Sequence, residues 1–245
     1  MPRYFLEVAY KGTQYSGFQV QQNADTIQAQ IEKALATLHR KPISLTGSSR
    51  TDAGVHAEQN YFHFDATDIN SQAVYKFNAM LPNDIAVKNL HQMPTAAHCR
   101  FDAVSRAYEY RIYTFKNPFL KDLAYYYPYT LNKEAMQEAA CFLATQTDFK
   151  SFSKAHTQVQ TFDCTIIQSA WIFEKDCITY NIAANRFLRG MVRMLTASML
   201  RLGRGQMGME EYKSHFIEEG RCAFAAPAHG LFLKRVQYRA DYFSA

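Results

Sequence analysis

Arg50 and Asp52 stand two residues apart in the stretch Gly47-Ser48-Ser49-Arg50-Thr51-Asp52-Ala53-Gly54-Val55-His56-Ala57. Two glycines and small side chains let such a loop bring its backbone close to a substrate. A carboxylate beside a guanidinium is held ionised, which suits it to act as a nucleophile or a general base. The same pair also makes a structural clamp, and the residue types alone leave both readings open. Two other glycine patterns carry less. Gly203 to Gly208 has the spacing of a dinucleotide fingerprint but closes an expected helix instead of opening one. Gly12 to Gly17 lacks the Lys-Ser/Thr of a phosphate loop and reads as a turn.

The elements that must hold the Arg50–Asp52 loop follow from periodicity. Tyr4, Leu6, Val8 and Tyr10 alternate as in a strand. Asp25 as N-cap with Gln28 three residues on opens a helix, and Ile27, Ile31, Ala34, Leu35 and Leu38 recur at helical spacing. Strands are expected over 43–46, 59–64 and 84–90, and a helix over 71–80, stopped by Pro82. The second half repeats the order: strand 106–115, helix 132–145, strands 164–173 and 177–184, helix 187–202 and strand 231–238. A further helix over 209–219 precedes the last strand and ends at Gly220. The run Tyr125-Tyr126-Tyr127-Pro128-Tyr129 reads as a partly buried connection, with base stacking the rarer alternative. This is an α+β fold of two similar β-α-β-β-α-β, ferredoxin-like halves, 1–103 and 104–245, with antiparallel sheets and a central cleft between them.

Composition sets the outer limits. The chain has 245 residues, enough for one large domain or two smaller ones, and a net charge of +5, a modest bias toward a polyanionic partner. Its five cysteines are far apart with no C-x-x-C pair, so neither a disulfide framework nor a zinc site is indicated. No stretch approaches the roughly 18 apolar residues of a membrane span, and Glu7 interrupts an opening segment already too short for a secretory signal. A cytoplasmic protein without membrane contact is expected.

The loop resembles the signature R-T-D-A-G-V-H of TruA-type tRNA pseudouridine synthases, and the resemblance runs through nearly the whole chain. Tyr10 to Gln19 is similar to the opening Y-D-G-x-x-Y-x-G-W-Q, and Leu81 to Val87 to L-P-x-D-I-x-V. His98-Cys99-Arg100-Phe101 resembles H-A-R-F, and Arg106-Ala107-Tyr108-Glu109-Tyr110 resembles R-x-Y-x-Y. Ala184 to Arg193 resembles A-N-x-F-L-x-x-M-V-R, and Ala226 to Leu231 the closing A-P-x-x-G-L. The resemblance implies isomerisation of uridine to pseudouridine at positions 38 to 40 of tRNA, without cofactor or metal, by a homodimer gripping the anticodon arm.

It also implies roles. Asp52 is the essential aspartate, acting at ribose C1′ or at uracil C6. Tyr108 contacts the flipped uracil, Arg193 pairs with the aspartate, and Arg50 orients the loop or displaces the target base. Arg186, Arg189 and Arg193 share one stripe of the helix expected over 187–202, opposite Phe187, Met191, Met194, Leu195 and Leu202, a solvated face or a surface for phosphates. Lys11, Phe18, Lys154 and Asp163 depart from the usual family residues, at sites that bear on tRNA contacts more than on the reaction. A non-catalytic tRNA-binding module, or a synthase for another RNA, stands as the alternative.

Overall fold

The computed structural model of the chain describes residues 1–67, 69, 72–154, 159–217 and 220–243. The chain forms two compact units, Met1–Val104 with Phe232–Ala245, and Ser105–Leu231. The fold is α+β, and within each unit the strands pair antiparallel apart from one short parallel pairing.

In the first unit β1 (Arg3–Tyr10) lies between β3 (His56–Asp65) and β4 (Ile85–Met93), antiparallel to both, with Leu6 facing Phe62 on one side and Leu90 on the other. The two-residue β2 (Thr46–Gly47) pairs with β3. The last strand, β9 (Leu231–Gln237), runs parallel to the start of β3, matching His56 with Phe232. Phe5, on the opposite face from Tyr4 and Leu6, packs against Tyr238, Tyr242 and Phe243, so the chain's final turn covers that face with rings.

Helix α1 (Ile27–His39) buries Ile27, Ile31, Ala34 and Leu35. Its N-cap is Thr26, whose hydroxyl accepts the Ala29 N–H, and not the expected Asp25. Both residues suit an N-cap; burial of Ile27 decides the register, and Asp25 instead receives the Gln30 side chain at 2.8 Å. Helix α2 (Ala73–Met80) stops before Pro82, and residue 71, where it was expected to begin, lies outside the described residues. Asn78 bonds both the N–H and the carbonyl of Val87 at 2.8 Å, stapling α2 to β4.

His63 on β3 is 6% exposed. Its Nδ1 lies 3.1 Å from the Cys99 sulfur and its ring stands edge-on to His98 at 4.6 Å. Burial, reinforced by His98 and Arg3 against the opposing Asp65 and Asp102, pushes its pKa from 6.5 down to about 4. The unfolded chain therefore binds the extra proton first as pH falls. The stability that neutral His63 contributes is complete above pH 6.5 and is lost toward pH 4, on the order of 3 kcal/mol. Urea unfolding at pH 7 and at pH 4.5 should show that loss, and His63→Gln should flatten the difference; an unchanged slope in the variant would assign the acid sensitivity elsewhere.

In the second unit β8 (Cys177–Ala184) lies between β5 (Ser105–Tyr113) and β7 (Ile166–Phe173), antiparallel to both, and buries Ile178, Tyr180, Ile182 and Ala184 in strict alternation. Part of the tyrosine run forms β6 (Tyr125–Tyr126), parallel to β5. Helix α3 (Lys133–Leu143) starts at Asn132, whose side chain accepts the Ala135 N–H. Helix α4 (Met191–Gly203) begins four residues later than the apolar spacing predicts. Gly190 takes a φ of 78°, which a continuing helix excludes, and Asn185 ties down the end of β8 by accepting the N–H groups of Thr165 and Arg186. Arg186 and Arg189 thus sit in the connection before the helix, and the expected stripe of Arg186, Arg189 and Arg193 does not form. Helix α5 is Met209–Ser214; residues 218 and 219, included in the expected helix, lie outside the described residues.

Candidate functional site

The Asp52 loop joins β2 to β3 and is braced by two segments of its own unit. From below, Asn60 on β3 is fully buried and donates its side-chain N–H groups to the Ser49 carbonyl at 2.8 Å and to the Tyr10 hydroxyl at 3.2 Å. The Tyr10 hydroxyl in turn lies 2.9 Å from Thr51 Oγ1. Buried polar groups satisfied in this way rigidify what they touch, so the residue before Asp52 is fixed by a chain that starts on β1 and β3.

The second brace is the turn after β1. The Phe18 N–H donates to the Thr51 carbonyl at 3.1 Å, and the Phe18 ring stacks on Phe62 at 4.5 Å with an interplanar angle of 6°. The Gly12 N–H donates to His56 Nδ1 at 3.1 Å, which requires that nitrogen to carry no proton. Gly12 lies so close that a Cβ there would overlap the Val55 carbonyl oxygen, and one on Gly47 would overlap the Phe18 ring. That turn is itself anchored by Asp84, after α2, whose carboxylate receives the Tyr15 hydroxyl at 2.6 Å and whose carbonyl receives the Lys11 N–H at 2.8 Å.

Within this frame Asp52 to Val55 makes a tight turn, closed by the Val55 N–H on the Asp52 carbonyl at 3.2 Å, with Gly54 at φ 79°. Thr51 and Val55 are buried on either side, while Asp52 is half-buried and Arg50 exposed. The loop therefore offers a carboxylate from a rigid backbone, with a guanidinium two residues away. Such a carboxylate can act as nucleophile or general base without the protein first having to order it. The supporting roles of Tyr10, Gly12 and Asn60 were not foreseen. Tyr10 and Gly12 lie inside one of the quoted motifs, but Asn60 carried no signal beyond its place on a strand.

The second unit carries the other predicted residues. Tyr108 is half-buried on β5, opposite Ile182 of β8, and meets Phe187 edge-to-face at 5.1 Å. Arg193, in the first turn of α4, donates its Nε to the Ala226 carbonyl at 2.7 Å, while the Ala226 N–H returns to the Arg193 carbonyl at 2.9 Å. The next residues are held as firmly: the Tyr110 hydroxyl donates to the Pro227 carbonyl at 2.8 Å, and Gly230 lies against the Tyr110 ring. Burial lowers the pKa of His229, with Asp122 opposing and Arg193 adding to the effect. Arg186 is half-buried with Nη1 3.4 Å from Thr161 Oγ1, and Arg189 is exposed, its carbonyl accepting the Lys154 N–H at 3.1 Å.

Among the described residues no group of three or more His, Cys, Asp or Glu side chains is gathered as a metal site, the five cysteines form no disulfide, and no helix is long and apolar enough to cross a membrane.

Comparison with known proteins adds the chemistry. A family model described as tRNA pseudouridine synthase matches residues 7–102 and 142–239. The chain is 42% identical to tRNA pseudouridine synthase A of Parabacteroides distasonis, covering 99% of this chain and 98% of that protein. It is 40% identical to the enzyme of the same name from Bacteroides thetaiotaomicron, over 100% and 93%, and 37% identical to that of Staphylococcus aureus, over 96% and 90%.

Proposed function

The chain belongs to the tRNA pseudouridine synthase family, an isomerase family, and on that premise we propose that it converts uridine to pseudouridine at positions 38 to 40 in the anticodon arm of tRNA. The observation that carries this reading is the Asp52 loop, a carboxylate presented by a backbone that two separate segments hold in place. In the proposed reaction the glycosidic bond breaks, the uracil turns, and C5 rejoins C1′ with loss of the C5 hydrogen. Asp52 attacks C1′ or C6; either route uses the same carboxylate and asks for no cofactor or metal.

The remaining roles belong to the same proposal. The Tyr108 ring holds the unstacked base, Arg193 pairs with the aspartate, and Arg50 helps to displace the target nucleotide. Arg186 and Arg189, on the connection before α4, meet phosphates. The enzyme acts as a cytoplasmic homodimer on one tRNA.

Incubation with whole tRNA and with isolated anticodon arms, each tritiated at uracil C5, tests the substrate. Tritium released to water from uridines at positions 38 to 40, and not from transcripts in which these are cytidine, is the expected result. Equal release from the cytidine-substituted transcripts would move the activity to other uridines.

A further inference from the structure

Every residue of α4 is buried except Arg193, Ala197 and Arg201, and the half-buried Arg204 follows as its C-cap. At 100° per residue these four positions fall within about 80° of one another, so α4 shows one narrow stripe outward, with three arginines and no carboxylate. The stripe runs about 16 Å from Arg193 to Arg204 at 1.5 Å per residue.

The usual tasks of arginines at a helix C-terminus are already filled here. The carbonyls of Leu200, Arg201 and Leu202 accept the backbone N–H groups of Arg204, Gln206 and Gly205 at 3.1, 2.9 and 2.9 Å, so no side chain is needed as a cap. Among the described residues the guanidinium groups of Arg201 and Arg204 meet rings and not carboxylates. Arg201 lies 3.9 Å over Phe224, and Arg204 lies 3.6 Å over Tyr129 and 5.9 Å from Tyr127. Stacking on a ring fixes the plane of a guanidinium without neutralising it, and leaves its N–H edge to an anion. Phe224 and Tyr129 are themselves 41% and 47% exposed, so these platforms stand at the surface.

We propose that Arg201 and Arg204, held on Phe224 and Tyr129, bind the phosphate backbone of the RNA substrate as it leads away from Arg193. This rests on the reading of tRNA as substrate. The two arginines are binding residues, remote from the reacting atoms, and their loss weakens affinity without slowing the bound complex.

Arg201→Gln with Arg204→Gln, compared with the double lysine variant, tests the stripe through tRNA binding across a salt series. The glutamine pair should bind about tenfold more weakly at low salt, and its slope of log affinity against log salt should be shallower by about 1.4 to 1.8, two phosphate contacts' worth. The lysine pair should keep the slope, and kcat at saturating tRNA should stay within about twofold in both. A glutamine pair with the parent's affinity and slope overturns the stripe while leaving tRNA as the substrate; a parent chain that neither binds tRNA nor releases tritium overturns both. Should the glutamine pair fail to fold, the parent decides: tRNA must shield Arg201 and Arg204 from phenylglyoxal in peptide mass spectra, and undiminished modification overturns the proposal.

Discussion

An Asp52→Asn variant is expected to release no tritium from C5-labelled tRNA, a loss of at least about 1,000-fold, while binding that tRNA within about threefold of the parent. The amide has the shape of the carboxylate but neither its charge nor its nucleophilicity. The substitution leaves the braces intact, because they reach the loop through the backbone and hydroxyl of Thr51, the carbonyl of Ser49 and the ring of His56. Release by the variant would remove Asp52 from the chemistry. Binding without release by parent and variant alike would favour the binding-module reading and leave Asp52 as a loop clamp.

Gly12→Ala should produce the second large effect, at a residue that touches no reacting atom. The added methyl collides with the Val55 carbonyl, and neither partner is a flexible side-chain end: Gly12 is tied to His56, and Val55 closes the turn that presents Asp52. Overpacking of this kind costs about 1–3 kcal/mol, and a shift of the catalytic turn by an ångström lowers kcat about 100-fold. Gly220→Ala, where a methyl meets open space, is the matched control and should change neither quantity. Thermal melts read the first effect and single-turnover tritium release the second. An active, stable Gly12→Ala chain would show that the turn yields readily and is not held in place by the segment after β1.

What could be read in advance follows the kind of signal each residue gives. β8 was legible to the residue because its alternation is undisturbed, and α3 was marked by Asn132. The start of α4 was not, because Phe187 continues the apolar spacing of Met191 and Met194 backwards, and spacing is blind to the positive φ that Gly190 adopts. That one dihedral moved Arg186 and Arg189 off the helix and left its outward stripe to Arg193, Arg201 and Arg204. At the candidate site the Arg50–Asp52 pair was visible as residue types. Its support was not, since the Asn60–Tyr10–Thr51 chain joins residues up to 50 positions apart and only the pairing of β1 with β3 brings them together.

The return of β9 to the first unit has a consequence for synthesis. The unit that bears Asp52 is built from both ends of the chain, and the strand lying beside His56 follows residue 230. As the polypeptide leaves the ribosome, the aspartate loop emerges early, yet the surface against which His56 stacks, Phe232, comes after the whole second unit. Chains cut short anywhere within that second unit therefore carry Asp52 without the strand that seals its neighbour. The packing around His56, next to the turn that presents Asp52, is therefore completed only once β9 has been made.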